Sequence, residues 1–250
     1  MKSRLASLLT VLVVLAATCL VLAGAITALY AYDGGTYFGS VAGIAALLAL
    51  GIALWFYRRR LLRLGDGPAV ANVAAAILVG MGLGMLWAVE IGINNILAPL
   101  LPVRDLVDDL FWGAVALAIL GLAIYVGFKH HSLRRAVEAG AWSGLSSGLV
   151  ACLAALVMIV FGMGYMTRDP VNLYEWAYQL KTITAPTMAD YFAYQAFAGA
   201  FLHLLVLGIA MGALLGVVGG MPQWIIQWRE RQKRNAAGPH PRHAAASHRR

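Results

Sequence analysis

FAYQAFAGAFLHLLVLGIAMGALLGVVGG, residues 192–220, is the stretch that decides the fold. It is long enough and apolar enough to cross a hydrocarbon core about 30 Å thick as a single helix. Gly208, Gly212, Gly216 and Gly220 recur every fourth position, so on an α-helix they lie close to one stripe. His203 is the one histidine set inside an apolar run. On a regular helix it stands five residues, about 140°, from the glycine stripe. With two narrow faces of this kind, the segment reads as the helix around which the others pack.

Five further blocks of similar character accompany it. Apolar spans are expected at 5–30, 38–57, 69–93, 110–128 and 140–166, with 192–218 as the sixth. Hydrophobic residues make up 61% of the chain and charged residues 12%, about half the charged share of a soluble domain. Alternating ten-residue segments, the mark of a membrane β-barrel, do not occur. The expected fold is therefore all-α: a polytopic membrane protein built as a bundle of six transmembrane helices over residues 1–222. The run 5–30 is too long for the apolar core of a signal peptide, so it reads as an uncleaved first span.

Charge fixes the expected orientation. Of the 19 Lys and Arg, 16 fall at the N-terminus (Lys2, Arg4), in the second connection (Arg58, Arg59, Arg60, Arg63), in the fourth (Lys129, Arg134, Arg135) or after Trp228. By the positive-inside rule both the N and C termini are cytoplasmic, in a cytoplasmic (plasma) membrane. The opposite side carries Asp33, Asp105, Asp108, Asp109, Asp169, Glu175 and Asp190, with Arg104, Arg168 and Lys181 as its only cations. On that side Asp169-Pro170 is a helix start, a capping side chain followed by proline. Leu173, Trp176, Ala177 and Leu180 then fall on one stripe, so a surface helix is expected near 170–181. At the other end, residues 223–250 form a basic segment that reads as a disordered cytoplasmic tail. Its expected partner is anionic lipid headgroups; nucleic acid is not expected, since the basic run has no fold or aromatic interleaving behind it.

Small residues four apart let helix backbones touch where lipid offers no hydrophobic drive. Gly80 and Gly84 in the third span, Gly140, Gly144 and Gly148 in the fifth, and Gly208, Gly212, Gly216 and Gly220 in the sixth are the expected packing positions, with Gly39 and Gly43 a further pair in the second. Cys19 and Cys152 lie inside apolar runs and read as small packing residues. No cysteine and histidine cluster has metal-binding spacing, no phosphate loop occurs, and no metal or cofactor is expected. Asp66 and Glu138 are expected to form exposed ion pairs with Arg63 and Arg135.

Two residues are costly to bury in a membrane. Glu90 sits near the acidic end of the third span, with Asn94 one turn on and on the same face. His203 lies deeper, and at that depth needs a hydrogen-bond partner on a neighbouring helix or a ligand. Glu90, Asn94 and His203 are the candidate ligand-binding residues, lining a polar pocket open to the acidic side. Direct contact between Glu90 and His203 is not expected from their depths. Six spans and a histidine ahead of a glycine ladder resemble the rhomboid intramembrane proteases, but Ala141-Trp142-Ser143-Gly144 lacks their first glycine. Ser143 also belongs to the basic end and His203 to the acidic half, too far apart for a nucleophile and its base. The expected function is thus a non-catalytic, permease-like subunit of a transport system, with another membrane or ATPase subunit as partner. The alternatives are a structural or assembly subunit of a larger complex, or a membrane-embedded enzyme acting on a lipid.

Overall fold

The computed structural model describes residues 2–31, 34–63, 68–97, 100–179 and 185–236. Its helices are α1 (Lys2–Tyr30), α2 (Gly34–Arg63), α3 (Pro68–Gly92), α4 (Leu101–His130), α5 (Leu133–Met166), α6 (Pro170–Gln179), α7 (Met188–Phe201) and α8 (Met211–Ala236). Two π-helical segments interrupt this series, Ile93–Leu97 after α3 and Leu202–Ala210 between α7 and α8. Among the described residues six helices are long and apolar enough to cross a membrane, the last of them running from Met188 to Ala236 through α7, the π segment and α8. The chain is a multi-pass helical membrane protein. Its large outward side chains are apolar, among them Leu29, Phe56, Leu117 and Phe161, as a lipid-facing surface requires.

The hub is α5, not the last span. It packs on α1, α3, α4, α7, the second π segment and α8, and more than half of its apolar window is buried. The reason lies in its small residues, which occupy several faces rather than one. Gly140 and Gly144 meet α8, Gly148 meets His203 and Leu204, and Ser143, Ser146 and Ser147 meet Gly80 and Gly84 of α3. The serine hydroxyls need no partner from another helix. Ser143 donates to the carbonyls of Ala139 and Gly140 at 2.9 and 3.1 Å, and Ser146 to that of Trp142 at 2.7 Å. On the α1 side, the Cys152 thiol lies against that of Cys19, and Cys19 Sγ approaches the Leu149 carbonyl at 3.9 Å.

Glycine contacts carry the α5–α8 seam. A Cβ at Gly212 would stand 2.6 Å from the Gly140 carbonyl oxygen, and one at Gly216 2.7 Å from Val137 Cα. Gly220 faces Leu133 and Ala136 in the same way. Backbones this close gain dispersion and Cα–H···O contacts. In the second span Gly43 lies under the Phe201 ring, whereas a Cβ added at Gly39 would meet no neighbouring helix within 4 Å.

Several boundaries differ from the sequence reading. α4 begins at Leu101, so Arg104, Asp105, Asp108 and Asp109 sit on helix rather than in a loop. Pro102 in that first turn is a helix-start signal. At the basic end α8 continues through Pro222 to Ala236. Residues 223–236, read as part of a disordered tail, are helical because 224–234 contain helix-formers and no glycine or proline. The remainder of that tail, 237–250, lies outside the described residues, as do Asp33, Asp66 and Lys181. Glu138 pairs with Arg134 at 2.9 Å, not with Arg135, whose Nη1 contacts His130 Nδ1 at 2.8 Å.

The turn between α4 and α5 is tied to α8. His131 caps α4 in the left-handed region at φ 50°, and Gln223 Nε2, on α8, donates to its Nδ1 at 2.7 Å. This latch closes the basic end. At the acidic end Asp169 caps α6, accepting from the amides of Val171 and Asn172 at 2.9 and 3.2 Å. The face of α6 turned to the bundle is Asn172, Glu175 and Trp176, while Leu173, Tyr174, Ala177 and Tyr178 are exposed. The expected apolar stripe is thus split, with only Trp176 of its described members facing inward.

Candidate functional site

The acidic end of the bundle holds a cavity of about 170 Å³ between α3, α4, α5, α6 and α7. Its polar wall consists of Glu90, Asn95, Arg104, Asn172, Glu175, Gln195 and His203. Ala155, Ala196, Gly199 and Ala200 form much of the rest, small side chains that leave the space open. Two of the three sequence candidates, Glu90 and His203, therefore meet at one cavity. The third, Asn94, stands behind Glu90 and is not on the wall.

Helical spacing and the first π segment arrange the acidic cluster. Glu90 and Asn94 are four residues apart, and the π segment begins at Ile93. Asn94 Nδ2 donates to Glu90 Oε1 at 2.6 Å and also to Asp108 Oδ1 of α4. One amide thus joins two carboxylates on two helices. Glu90 and Asn94 are each 6% exposed. Glu90 Oε2 and Asn94 Oδ1 are buried with no hydrogen-bond partner. An unanswered buried polar atom costs about 1–3 kcal/mol, and a charged one more.

A second polar chain faces the first. Arg104 Nη1 approaches Glu175 Oε2 at 3.4 Å, Tyr191 donates its hydroxyl to Glu175 Oε1 at 3.5 Å, and Gln195 Nε2 donates to that same Tyr191 oxygen. The guanidinium is under-used: its Nε and Nη2 are buried without a partner. Asn172 fixes α6 to the end of α5, its Nδ2 donating to the Met166 carbonyl at 3.0 Å.

His203 is held by its own helix. Its Nδ1 lies 2.8 Å from the Gly199 carbonyl; a carbonyl only accepts, so Nδ1 carries the proton and Nε2 of the neutral ring is left as an acceptor. The expected bond to another helix is replaced by this one. The interhelical contact is aromatic instead, with the His203 ring edge-on to Trp87 at 4.8 Å and Trp87 edge-on to Trp112 at 5.3 Å. His203 belongs to the second π segment, Leu202–Ala210. Hydrogen bonds from i to i+5 bring residue 208 back beneath residue 203, and a Cβ at Gly208 would stand 3.0 Å from the His203 carbonyl oxygen. The 140° separation expected of a regular helix is lost for that reason. π segments within α-helices occur often at functional sites, and here the two of them carry Asn94 and His203.

Ser143 and His203 are each hydrogen-bonded to a carbonyl of their own helix. Among the described residues no group of three or more His, Cys, Asp or Glu is placed to hold a metal ion. Sequence reasoning missed Arg104, Asn172, Glu175 and Gln195 as wall residues and Asp108 as the second carboxylate. For Arg104 and Asp108 a signal was present: with Pro102 as a helix start, they fall four residues apart on one face of α4. No protein-family model matches the chain, and no curated protein and no solved structure is significantly similar to it.

Proposed function

We propose that the chain is a non-catalytic, permease-like subunit of a transport system in the cytoplasmic membrane. Both termini face the cytoplasm, the acidic cavity opens outward, and the energy source is a separate ATPase or membrane subunit. The observation that carries this reading is the cavity itself, where Glu90, Arg104, Glu175 and His203 converge inside an otherwise apolar bundle. Charged groups within a membrane are expensive and are kept where they meet water, an ion or a solute. A site of this volume is too small for a drug-sized ligand, whose pockets run from about 300 Å³ upward. The solute is small and polar. The basic end of α8, with Arg229, Arg231, Lys233 and Arg234 exposed, contributes attraction to anionic headgroups of about 1 kcal/mol per residue.

One observation favours a scaffold or assembly subunit instead: the glycine-to-glycine seam packs α5 and α8 backbone on backbone at the basic end. A mild-detergent pull-down of the tagged protein, with mass spectrometry of what co-purifies, separates the two. A partner with a nucleotide-binding site supports the transport subunit. Co-purification with a large redox or biosynthetic assembly supports the scaffold and removes the transport reading.

A further inference from the structure

Three neutral side chains on the cavity wall, Asn95, Gln195 and His203, have their orientations fixed by the bundle. Asn95 donates its Nδ2 to the Ile91 carbonyl at 2.9 Å. A carbonyl only accepts, so the amide cannot be turned round, and its oxygen and one N–H are left over. The Gly199 carbonyl orients His203 in the same way, leaving Nε2 as a pure acceptor. On α7, the Tyr191 hydroxyl gives its hydrogen to Glu175, so it accepts from Gln195 Nε2 and leaves the Gln195 oxygen over. Gln195 is exposed. Asn95 Oδ1 and His203 Nε2 have no partner among the described residues and are not shut away, whereas Glu90 Oε2 and the Arg104 Nε and Nη2 atoms are buried. The atoms the wall offers are therefore these neutral ones, with acceptors in surplus over donors.

The chemistry of the occupant follows by elimination. An anion has no hydrogen for His203 Nε2. An ammonium cannot accept from the amide N–H groups, and it finds Glu175 already faced by Arg104. A hydroxyl both donates and accepts, and several of them on one short chain can answer side chains that come from α7 and from both π segments. We infer that this cavity binds a small neutral polyol, with its hydroxyls donating to His203 Nε2, Asn95 Oδ1 and Gln195 Oε1. The inference rests on reading the cavity as a solute site, and it names the class of solute. The volume of 170 Å³, room for about five waters at their liquid packing, suits a molecule of glycerol size. Two sources share this chemistry, a free polyol and the glycerol headgroup of a lipid. A lipid has a place for its chain, since an apolar groove of about 330 Å³ between α3 and α5 shares Ile91 and Met158 with the cavity.

The test uses the full chain purified in a detergent whose headgroup carries no hydroxyl. Glycerol and erythritol are titrated by saturation-transfer NMR, which reads weak binding. Two controls run beside them: dimethoxyethane, which keeps the oxygens and loses every O–H, and methylammonium, a charged donor that cannot accept. In parallel, the thermal midpoint is followed with a short-chain monoacylglycerol and with the methyl ester of the same fatty acid. The expected result is saturable binding of a polyol, or stabilisation by the monoacylglycerol, with the matching controls about tenfold weaker or more. A polyol as the binder identifies a free solute; the monoacylglycerol alone identifies a headgroup. His203→Phe, which keeps a ring against Trp87, and Asn95→Leu should each weaken the favoured probe about threefold or more, the loss of one hydrogen bond. Dimethoxyethane or methylammonium binding as tightly as the polyols, methyl ester matching monoacylglycerol, or no response to any probe would each overturn the proposal. The wild-type panel decides the matter even if a variant misfolds. Capture of an ATPase partner with no probe bound removes the polyol and leaves the subunit reading; a bound probe with no partner does the reverse.

Discussion

The two ends of α5 are packed on opposite principles. At the basic end Gly140 and Gly144 lie against Gly212 and Gly216, backbone on backbone. At the acidic end Ala155 and Met158 of the same helix border a cavity lined with charge. Between the two, the π segment Leu202–Ala210 widens the partner helix. One end gains its energy from contact and has no room for another atom. The other keeps space and holds polar groups whose bonding is incomplete. Rigidity in the first region is what permits the second to carry unanswered charge, because strained or unsatisfied groups persist only where the surroundings hold them.

Adding bulk to the seam should give the largest effect. Gly212→Leu places a side chain where even a Cβ stands 2.6 Å from the Gly140 carbonyl oxygen. Overpacking a core costs typically about 1–3 kcal/mol, occasionally more. Two backbones must separate here, so the upper end of that range or beyond is expected. Size-exclusion chromatography and thermal unfolding in detergent should show little monodisperse protein and a strongly lowered midpoint. A variant with wild-type yield, midpoint and uptake would mean that the seam is loose, and the contrast between the two ends would fall.

Removing charge from the other end should act in the opposite sense. Glu90→Gln keeps the shape of the side chain and takes away a buried carboxylate that shares Asn94 with Asp108. A neutral amide in place of a buried carboxylate avoids the cost of keeping a charge away from water. The thermal midpoint should therefore hold or rise, and on the proposed transport reading uptake should fall. Combined with His203→Ala, uptake should be lost. A destabilised Glu90→Gln that transports normally would make the cluster a structural brace and remove it as a site.

How far this contrast is legible in the sequence differs between its two halves. Length and apolar content define six spans, and glycine spacing marks the residues that approach a neighbour, because both properties are local. The choice of hub is not local. The stripe of Gly208, Gly212, Gly216 and Gly220 drew attention to the last span, but it supplies one close face, whereas α5 supplies several through Gly140, Ser143, Ser147 and Gly148. Glu90, Asn94 and His203 stand out because polar residues are rare in such runs. Arg104 and Glu175 do not, since in a linear reading they belong to the watery side of the membrane. Only the early start of α4 and the inward turn of α6 bring them to the cavity. The π segments leave no trace in composition: Leu202–Ala210 has the residues of an ordinary apolar helix, and the widening depends on what packs around it.

The middle of the bundle offers a gentler probe of dryness. Cys19 and Cys152 are both buried and free, one thiol against the other. A water-soluble maleimide should label neither in the folded protein, because thiolate forms poorly without water. Copper phenanthroline, which enters membranes and accepts the two electrons released, should consume both thiols together, with two hydrogens lost per chain by intact mass. Fast maleimide labelling of Cys152 would mean that water from the acidic cavity extends down α5.

The smallest and sharpest comparison lies within α3. Gly82 has nothing within 4 Å of an added Cβ, while a Cβ at Gly84 would stand 2.5 Å from Val150 Cβ and 2.8 Å from the Ser147 carbonyl oxygen. Two residues apart, they face roughly opposite sides of one helix. Glycine in a helix interior is less favourable than alanine by about 0.5–1 kcal/mol, and at Gly82 no contact opposes that gain. Gly82→Ala should raise the thermal midpoint slightly and leave uptake unchanged. At Gly84 the same methyl group must push Ser147 backbone aside, so Gly84→Ala should lower the midpoint, by more than Gly82→Ala raises it. The pair keeps helix, residue type and added volume constant and varies only the neighbour. Equal shifts of the same sign would show that helix propensity, not close approach to α5, governs these glycines, and the close-packed half of the comparison would lose its physical basis.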